Sequence, residues 1–179
     1  MATTTTKLMT FAEFGRIPDP PGYRYELRRG ELVQTPFPEF PHIRAQWQLR
    51  RLLEDAAESA GVVDKEIPYR PLPEHECWGA DVAFVSKERW ESVDRYLMEA
   101  PELVVEVLSP SNTVAEMLDK RNVCLENGSR EFWVVDTGLR QVEVSTPDGH
   151  TITYKPGQEI PLFFGGRLAV DAIFAPAEG

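Results

Sequence analysis

The chain is short of cysteine, of positive charge and of long apolar runs, and each shortage excludes a class of protein. Its two cysteines, Cys77 and Cys124, have neither a CxxC motif nor a histidine at ligand spacing, which argues against a disulfide framework and a structural zinc site. The chain has no stretch of about 18 apolar residues, the length that a helix needs to span a bilayer. We therefore expect a soluble, cytoplasmic, globular protein with no membrane partner and two buried, unpaired cysteines.

Negative charge predominates in the composition. Asp and Glu number 29 against 19 Lys and Arg, which gives a formal net charge of -10. Affinity for nucleic acids usually comes from the neutralisation of phosphates by basic side chains. A nucleic-acid function would therefore need a local source of positive charge, such as a bound cation.

The chain contains no repeat or linker that would divide it into several domains. Residues 1–9 are Thr-rich and contain no apolar segment typical of a signal peptide, so they predict a short disordered lead. Residues 10–179 are then expected to form one domain.

The first half of the chain predicts a short helix, a hairpin and a long helix. Thr10 and Glu13 have the spacing of a capping box. Residues 23–27 and 31–35 predict two strands around the turn at Arg28-Arg29-Gly30. Apolar residues recur at three and four positions over residues 42–60, which predicts an amphipathic helix with Gly61 as its C-terminal cap.

The second half predicts a sheet. Strands are expected at residues 62–70, 80–85 and 103–108, followed by a helix over residues 113–126 and a strand at residues 132–136. Residues 141–145, 151–154 and 167–170 predict an antiparallel meander. The order of helix, three strands, helix and strand indicates an α/β fold with flanking hairpins. Neither GxGxxG nor GxxxxGK[ST] is present, which excludes the ordinary dinucleotide and P-loop sites.

Two carboxylates interrupt strands that are otherwise apolar. Asp81 precedes Val82, and Glu106 lies inside the apolar run of residues 103–108. A buried carboxylate costs several kcal/mol unless a partner or a cation compensates. Each could instead lie at an exposed strand edge or pair with an arginine. Because two such residues are expected in adjacent strands, a metal site is the interpretation that we favour.

Lys120 is the third residue of interest. Magnesium binds to one or two protein carboxylates and keeps several waters, so Asp81 and Glu106 would suffice as its protein ligands. Lys120 lies on the helix that leaves the Glu106 strand and could reach back over the carboxylates. The alternative is a surface pair between Glu116 and Lys120, one helical turn apart.

These residues resemble a known group of nucleases. An aspartate in one strand, a glutamate in the next and a nearby lysine are similar to the PD-(D/E)XK superfamily, whose core is also helix, three strands, helix, strand. From about residue 10 to 174 the chain further resembles the bacterial Uma-type restriction endonuclease family. The resemblance lies in Tyr25-Glu26-Leu27, Gly30-Glu31-Leu32, His42, Ala80-Asp81-Val82, residues 102–111, Lys120 and residues 131–136.

The resemblance implies a restriction-endonuclease-like core and a role for each matching residue. Asp81 and Glu106 would bind the metal, Lys120 would be the catalytic lysine, Glu31 or Glu26 would add an acid, and His42 would lie at the rim. The chain departs from the family pattern in two places, which are Ala80 before the aspartate and Leu108 two positions after Glu106. Since the superfamily lysine is expected at the latter position, its role passes to Lys120.

The expected function is a metal-dependent endonuclease that acts on DNA, with Mg²⁺ as the cofactor and Mn²⁺ as a substitute. Arginines such as Arg24 and Arg28 could guide the DNA backbone. A homodimer would allow a single-site domain to cut both strands. Two alternatives stay open at this point: a catalytically silent module that binds a protein, and a metal-dependent hydrolase of a smaller phosphoester.

Overall fold

A computed structural model describes residues 8–18, 21, 23–36 and 38–176. The helices in this part of the chain are α1 (Phe11–Phe14), α2 (Phe40–Ala57), α3 (Lys87–Ser92), α4 (Val114–Glu126) and α5 (Val170–Ile173). The strands are β1 (Tyr23–Arg28), β2 (Glu31–Pro36), β3 (Gly61–Arg70), β4 (Trp78–Ser86), β5 (Leu97–Met98), β6 (Leu103–Val107), β7 (Glu131–Asp136), β8 (Gln141–Ser145), β9 (Thr151–Tyr154), β10 (Glu159–Pro161) and β11 (Arg167–Ala169).

The main sheet has seven strands in the order β5-β3-β4-β6-β7-β8-β9. β3, β4 and β6 are antiparallel neighbours, whereas β6 and β7 are parallel and joined through α4. The predicted order of helix, three strands, helix and strand corresponds to α2, β3, β4, β6, α4 and β7. The mixed α/β fold is therefore confirmed, with α3 and β5 as unpredicted insertions between β4 and β6.

Each face of the sheet has its own apolar core. On one face, Ala45, Leu49 and Leu53 of α2 pack against the sheet. On the other, Cys124 of α4 packs against Val104 and Phe132. Side chains alternate between the faces along β6, so Leu103 and Val105 point towards α2. The same alternation turns Glu106 towards α4.

The hairpin β1–β2 forms as predicted. Arg29 and Gly30 both have positive φ, 50° and 73°, which is the backbone of a type I′ turn and matches the twist of the two strands. Leu27 pairs with Cys77, just before β4, and thereby attaches the hairpin to the sheet. Residues 1–7 of the predicted disordered lead lie outside the described residues, and the amide of Met9 donates to Gly30 O.

The long helix differs from the prediction at both ends. It begins at Phe40, two residues early, because Pro41 fits the first helical turn, where its missing N–H is not needed. It ends at Ala57, since Glu58 leaves the helical backbone at φ 46°. The prediction that Gly61 caps this helix is wrong. Gly61 begins β3, and a Cβ there would lie 2.3 Å from Val85 O, so its small size serves strand packing.

The C-terminal strands only partly follow the predicted meander. β7, β8 and β9 are antiparallel neighbours as expected. The segment at residues 167–170 does not join them, because β11 pairs with β10 in a separate two-stranded sheet. Ile160 and Leu168 from that small sheet are buried in the core under α2, which explains the pairing.

The structure also bears on the cysteines and on membrane insertion. Cys77 and Cys124 are free and buried, as the sequence predicted. Within the described ranges, no helix combines the length and the apolar character that a bilayer crossing requires.

Candidate active site

The separation of β4 from β6 creates the site. Backbone pairing between the two strands ends at Val82↔Val105, and Asp81 and Glu106 occupy the next positions in the same register. Beyond this point the Val107 amide donates to Asp81 Oδ2 at 2.8 Å. A side chain thus takes the hydrogen bond that a neighbouring strand would have accepted. Both carboxylates are buried, with Asp81 5% and Glu106 7% exposed.

Asp81 is surrounded by donors. Its Oδ1 accepts a hydrogen bond from Gln46 Nε2 at 2.9 Å and lies 3.1 Å from His42 Nε2. Burial alone would raise the pKa of Asp81, but the adjacent His42, the charge of Lys120 and the Val107 amide together hold this pKa below its usual value. Asp81 is therefore an ionised carboxylate at neutral pH.

Lys120 is buried beside Glu106. Its Nζ lies 2.8 Å from Glu106 Oε1 and donates to Gly79 O at 3.0 Å, and the residue is only 4% exposed. The alternative of a surface pair with Glu116 is therefore wrong. Glu116 instead forms the capping box of α4 with Thr113, which takes its carboxylate away from Lys120.

Glu106 and Lys120 differ in how burial affects them. Burial and the charge of Asp81 raise the pKa of Glu106 to about 7, although Lys120 opposes the rise. Burial would lower the pKa of Lys120, but the charges of Glu106 and Glu26 raise it above its ordinary value.

Glu106 Oε1 makes no hydrogen bond of normal geometry with any described residue. One buried carboxylate oxygen thus faces the site with an ion-pair contact alone.

Of the two glutamates predicted as a further acid, the structure brings Glu26 into the site and leaves Glu31 outside it. Glu26 is 4% exposed and accepts hydrogen bonds from Arg28 Nε at 2.9 Å, Arg28 Nη2 at 2.6 Å and Gly79 N at 3.1 Å. Burial would raise the pKa of Glu26, but Lys120, Arg28 and the Gly79 amide lower it below its usual value. Glu31 is exposed and lines a separate depression beside Arg29 and Asp119.

A cleft of about 400 Å³ joins these side chains to solvent. The loop after β6 forms one wall, and Asn112 shapes it by accepting hydrogen bonds from Ser109 N at 2.8 Å and Ser109 Oγ at 3.0 Å. His42, at the start of α2, lies at the rim, and neither of its ring nitrogens forms a well-oriented hydrogen bond with a described residue. The cleft is lined by Glu26, His42, Asp81, Glu106 and Lys120, together with Arg24 and Arg28.

Two residues that contact side chains of the cleft were not identified from the sequence. Gln46 contacts Asp81, and its position four residues after His42 was a signal, since such residues share one helix face. Glu66 bonds to Gln46 and pairs with Arg24. The φ of Glu66 is 56° in the middle of β3, and nothing in the sequence signals this conformation.

The residues of the cleft that could hold a metal ion are carboxylates. Among the described residues, no group of three or more His, Cys, Asp and Glu could hold a metal ion. Asp81 and Glu106 line one cleft and offer carboxylate oxygens, the ligands that hard divalent cations prefer. Two carboxylates are compatible with a hard divalent cation that uses one or two protein ligands and keeps several waters.

Comparisons with known proteins identify the fold and the family of the chain. The fold is similar to the crystal structure of a putative nuclease belonging to DUF820 from Anabaena variabilis, with a TM-score of 0.80, 20% sequence identity, and coverage of 93% of this chain and 97% of that chain. At this identity the likeness shows the fold alone. A search of the curated proteins finds no match. The model of the Uma2 family, described as "Putative restriction endonuclease", matches residues 11–169. Since this match covers most of the chain, the protein belongs to the Uma2 family.

Proposed function

We propose that the protein is a metal-dependent endonuclease that hydrolyses phosphodiester bonds in DNA, with Mg²⁺ as the metal and Mn²⁺ as a substitute. The observation that carries the proposal is the convergence of Asp81, Glu106 and Lys120 in one cleft. Membership of a family described as restriction endonucleases supports a nuclease in general. The DNA substrate and the metal are our own additions.

The metal would be held by Asp81 and Glu106. Asp81 keeps its charge at neutral pH, and one oxygen of Glu106 has only the Lys120 contact. When bound, the ion supplies positive charge beside the scissile phosphate and lowers the pKa of a water molecule. It would also offset the repulsion between the acidic cleft and a phosphate.

Lys120 would act on the substrate directly. Its ammonium group contacts Gly79 O and Glu106, and these two contacts hold the long lysine side chain in one position. A fixed positive charge in a buried site stabilises the negative charge that develops on phosphate oxygens in the transition state. His42 at the rim would accept a proton or orient a phosphate.

Arg24 and Arg28 would contact the DNA backbone at the hairpin side of the cleft. Arg24, Glu26 and Arg28 are at every second position of β1, so their side chains share one face of the strand. Cutting both strands of the DNA would require two such clefts. We propose that a twofold dimer supplies them. We also place the protein in the cytoplasm, where its two buried thiols would stay reduced.

The test is cleavage of supercoiled plasmid and of single-stranded DNA with Mg²⁺ or Mn²⁺. Wild type should cut, and Asp81→Ala and Glu106→Ala should not. Glu143→Ala is the control, because Glu143 is an exposed acid on β8 of the same sheet. Cleavage that survives both Asp81→Ala and Glu106→Ala would contradict the proposal.

Two negative results would point to the alternatives. Manganese binding without cleavage of either DNA would favour a smaller phosphoester as the substrate. The absence of both binding and cleavage would favour a silent module that binds a protein.

A further inference from the structure

Gln46 is a buried polar side chain of α2. It is 2% exposed and adjoins Ala45, a core residue. A buried amide is costly unless its hydrogens are bonded. Gln46 Nε2 donates to Asp81 Oδ1 at 2.9 Å and to Glu66 Oε1 at 2.8 Å. One nitrogen therefore serves two carboxylates.

Asp81 is held from two sides. The Val107 amide bonds to Oδ2, and Gln46 bonds to Oδ1. The terminal torsion of an aspartate is soft, so a single hydrogen bond leaves the plane of the carboxylate poorly defined. The two donors together fix that plane, because they approach different oxygens from different elements of the fold.

Glu66 supports Gln46 through an unusual backbone. β3 and β4 pair on either side of Glu66, at Lys65↔Val82 and Ile67↔Ala80, but not between Glu66 and Asp81. At this position Glu66 has φ 56°, which non-glycine residues seldom adopt. Its carboxylate reaches Gln46 on one side and Arg24 on the other. The positive charge of Arg24 thereby offsets the second carboxylate that Gln46 contacts.

We propose that Gln46 is a positioning residue that orients the Asp81 carboxylate for metal binding. This role rests on the proposed function, in which Asp81 binds a metal ion. Supporting partners of metal ligands commonly change metal affinity by about 10–100-fold when removed. Gln46 would act in this way without touching the metal or the substrate.

Gln46→Met is the test, because methionine keeps the length and helix preference of glutamine and removes its donors. The same helix offers a matched control in Gln48, which is 6% exposed and donates from Nε2 to Ala172 O at 2.9 Å, outside the cleft. Gln48→Met thus also removes the side-chain hydrogen bond of a buried glutamine on the same helix. Manganese affinity, measured by calorimetry on the full chain, should weaken about 10–100-fold in Gln46→Met and stay at the wild-type value in Gln48→Met.

A second readout needs no metal. Amide hydrogen exchange at Val107 should accelerate in Gln46→Met, because a mobile Asp81 releases this N–H, and should stay unchanged in Gln48→Met. The next amide is an internal reference, since Leu108 N donates to Val135 O at 2.9 Å and should keep its rate in both variants. If Gln46→Met does not fold, Gln46→Leu replaces it, since leucine also lacks the donors and is a good helix former.

The two readouts separate this inference from the proposed function. Wild-type protein that neither binds manganese nor cuts DNA would refute the proposed function, and exchange at Val107 would still decide whether Gln46 orients Asp81. Unchanged exchange at Val107 in the Gln46 variant would overturn the inference. So would a loss of manganese affinity that is equal in the Gln46 and Gln48 variants.

Discussion

The two ends of the β4–β6 pair show how one sheet combines a stable core with a charged cleft. At one end, Val82, Ala83 and Phe84 pair with Val105, Val104 and Leu103, and all six side chains are apolar and buried. At the other end the strands separate, and the hydrogen bonds come from side chains and from single amides. Buried charge therefore becomes possible where the backbone ladder stops.

The energies of the two ends differ in sign. Burying an apolar side chain of this size contributes about 1.5–3 kcal/mol to folding. Burying a charged group costs several kcal/mol, and the attraction of an oppositely charged partner offsets only part of this cost. We therefore expect the apolar end to determine stability and the charged end to determine activity, and substitutions should separate the two properties.

The largest effect is expected for Lys120→Met. The rate of DNA cleavage should fall by about 100–1000-fold, because this variant loses a fixed charge that acts in the transition state. Manganese should still bind, since Asp81 and Glu106 remain. Single-turnover cleavage and calorimetry measure the two properties. Lys87→Met is the control, because the Lys87 side chain is 68% exposed, and a Lys120→Met protein that cuts at the wild-type rate would contradict the assignment.

The next effect concerns the apolar end. Leu103 is fully buried and pairs with Phe84, so Leu103→Ala should lower the free energy of unfolding by about 2–5 kcal/mol. Manganese affinity should be unchanged under conditions where the protein is folded. Urea denaturation gives the first quantity, with the 67% exposed Leu139 as a control that should change by less than about 0.5 kcal/mol. A parallel loss of metal affinity would show that the two ends are not separable.

A smaller effect is the pH dependence of metal binding. The raised pKa of Glu106, about 7, means that its carboxyl group is largely protonated below that pH and must lose the proton to bind a cation. The lowered pKa of Asp81 keeps that group ionised over the same range. Manganese affinity should therefore fall about tenfold from pH 6.5 to 5.5, where one proton is displaced per ion, and be nearly constant above pH 8. Affinity that does not change between pH 5.5 and 8 would contradict the role of Glu106.

The smallest effect separates the two hairpin glutamates. Glu26→Gln removes the charge that orients Arg28 and should lower the cleavage rate about tenfold, the lower end for a supporting partner. Glu31→Gln should leave the rate within about twofold of wild type, because Glu31 is exposed and outside the cleft. Equal losses in the two variants would place Glu31 in the site after all.

The sequence predicted the parts of this site that break a local pattern. Asp81 and Glu106 are charges in apolar strands, and the order of elements placed those strands side by side. Lys120 was a candidate because it lies on the helix after the Glu106 strand, but its spacing alone favoured a surface pair with Glu116, and its role as the catalytic lysine came from the resemblance to a family. That pair does not form, since Thr113 and Glu116 bond to each other.

Other features depend on tertiary structure and could not be read locally. Gln46 looks like an ordinary polar residue beside an apolar stripe, and only the packing of α2 against Asp81 gives it a role. The positive φ of Glu66 is unusual for that residue type. The pairing of β10 with β11 followed from their burial under α2, whereas turn signals alone had suggested a continued meander.

A manganese-soaked crystal would show most directly whether Asp81 and Glu106 hold one metal ion together. We expect anomalous density in the cleft at coordination distance from both Asp81 and Glu106, with Lys120 still in the same cleft. Density only at another surface, or none at a saturating manganese concentration, would contradict it.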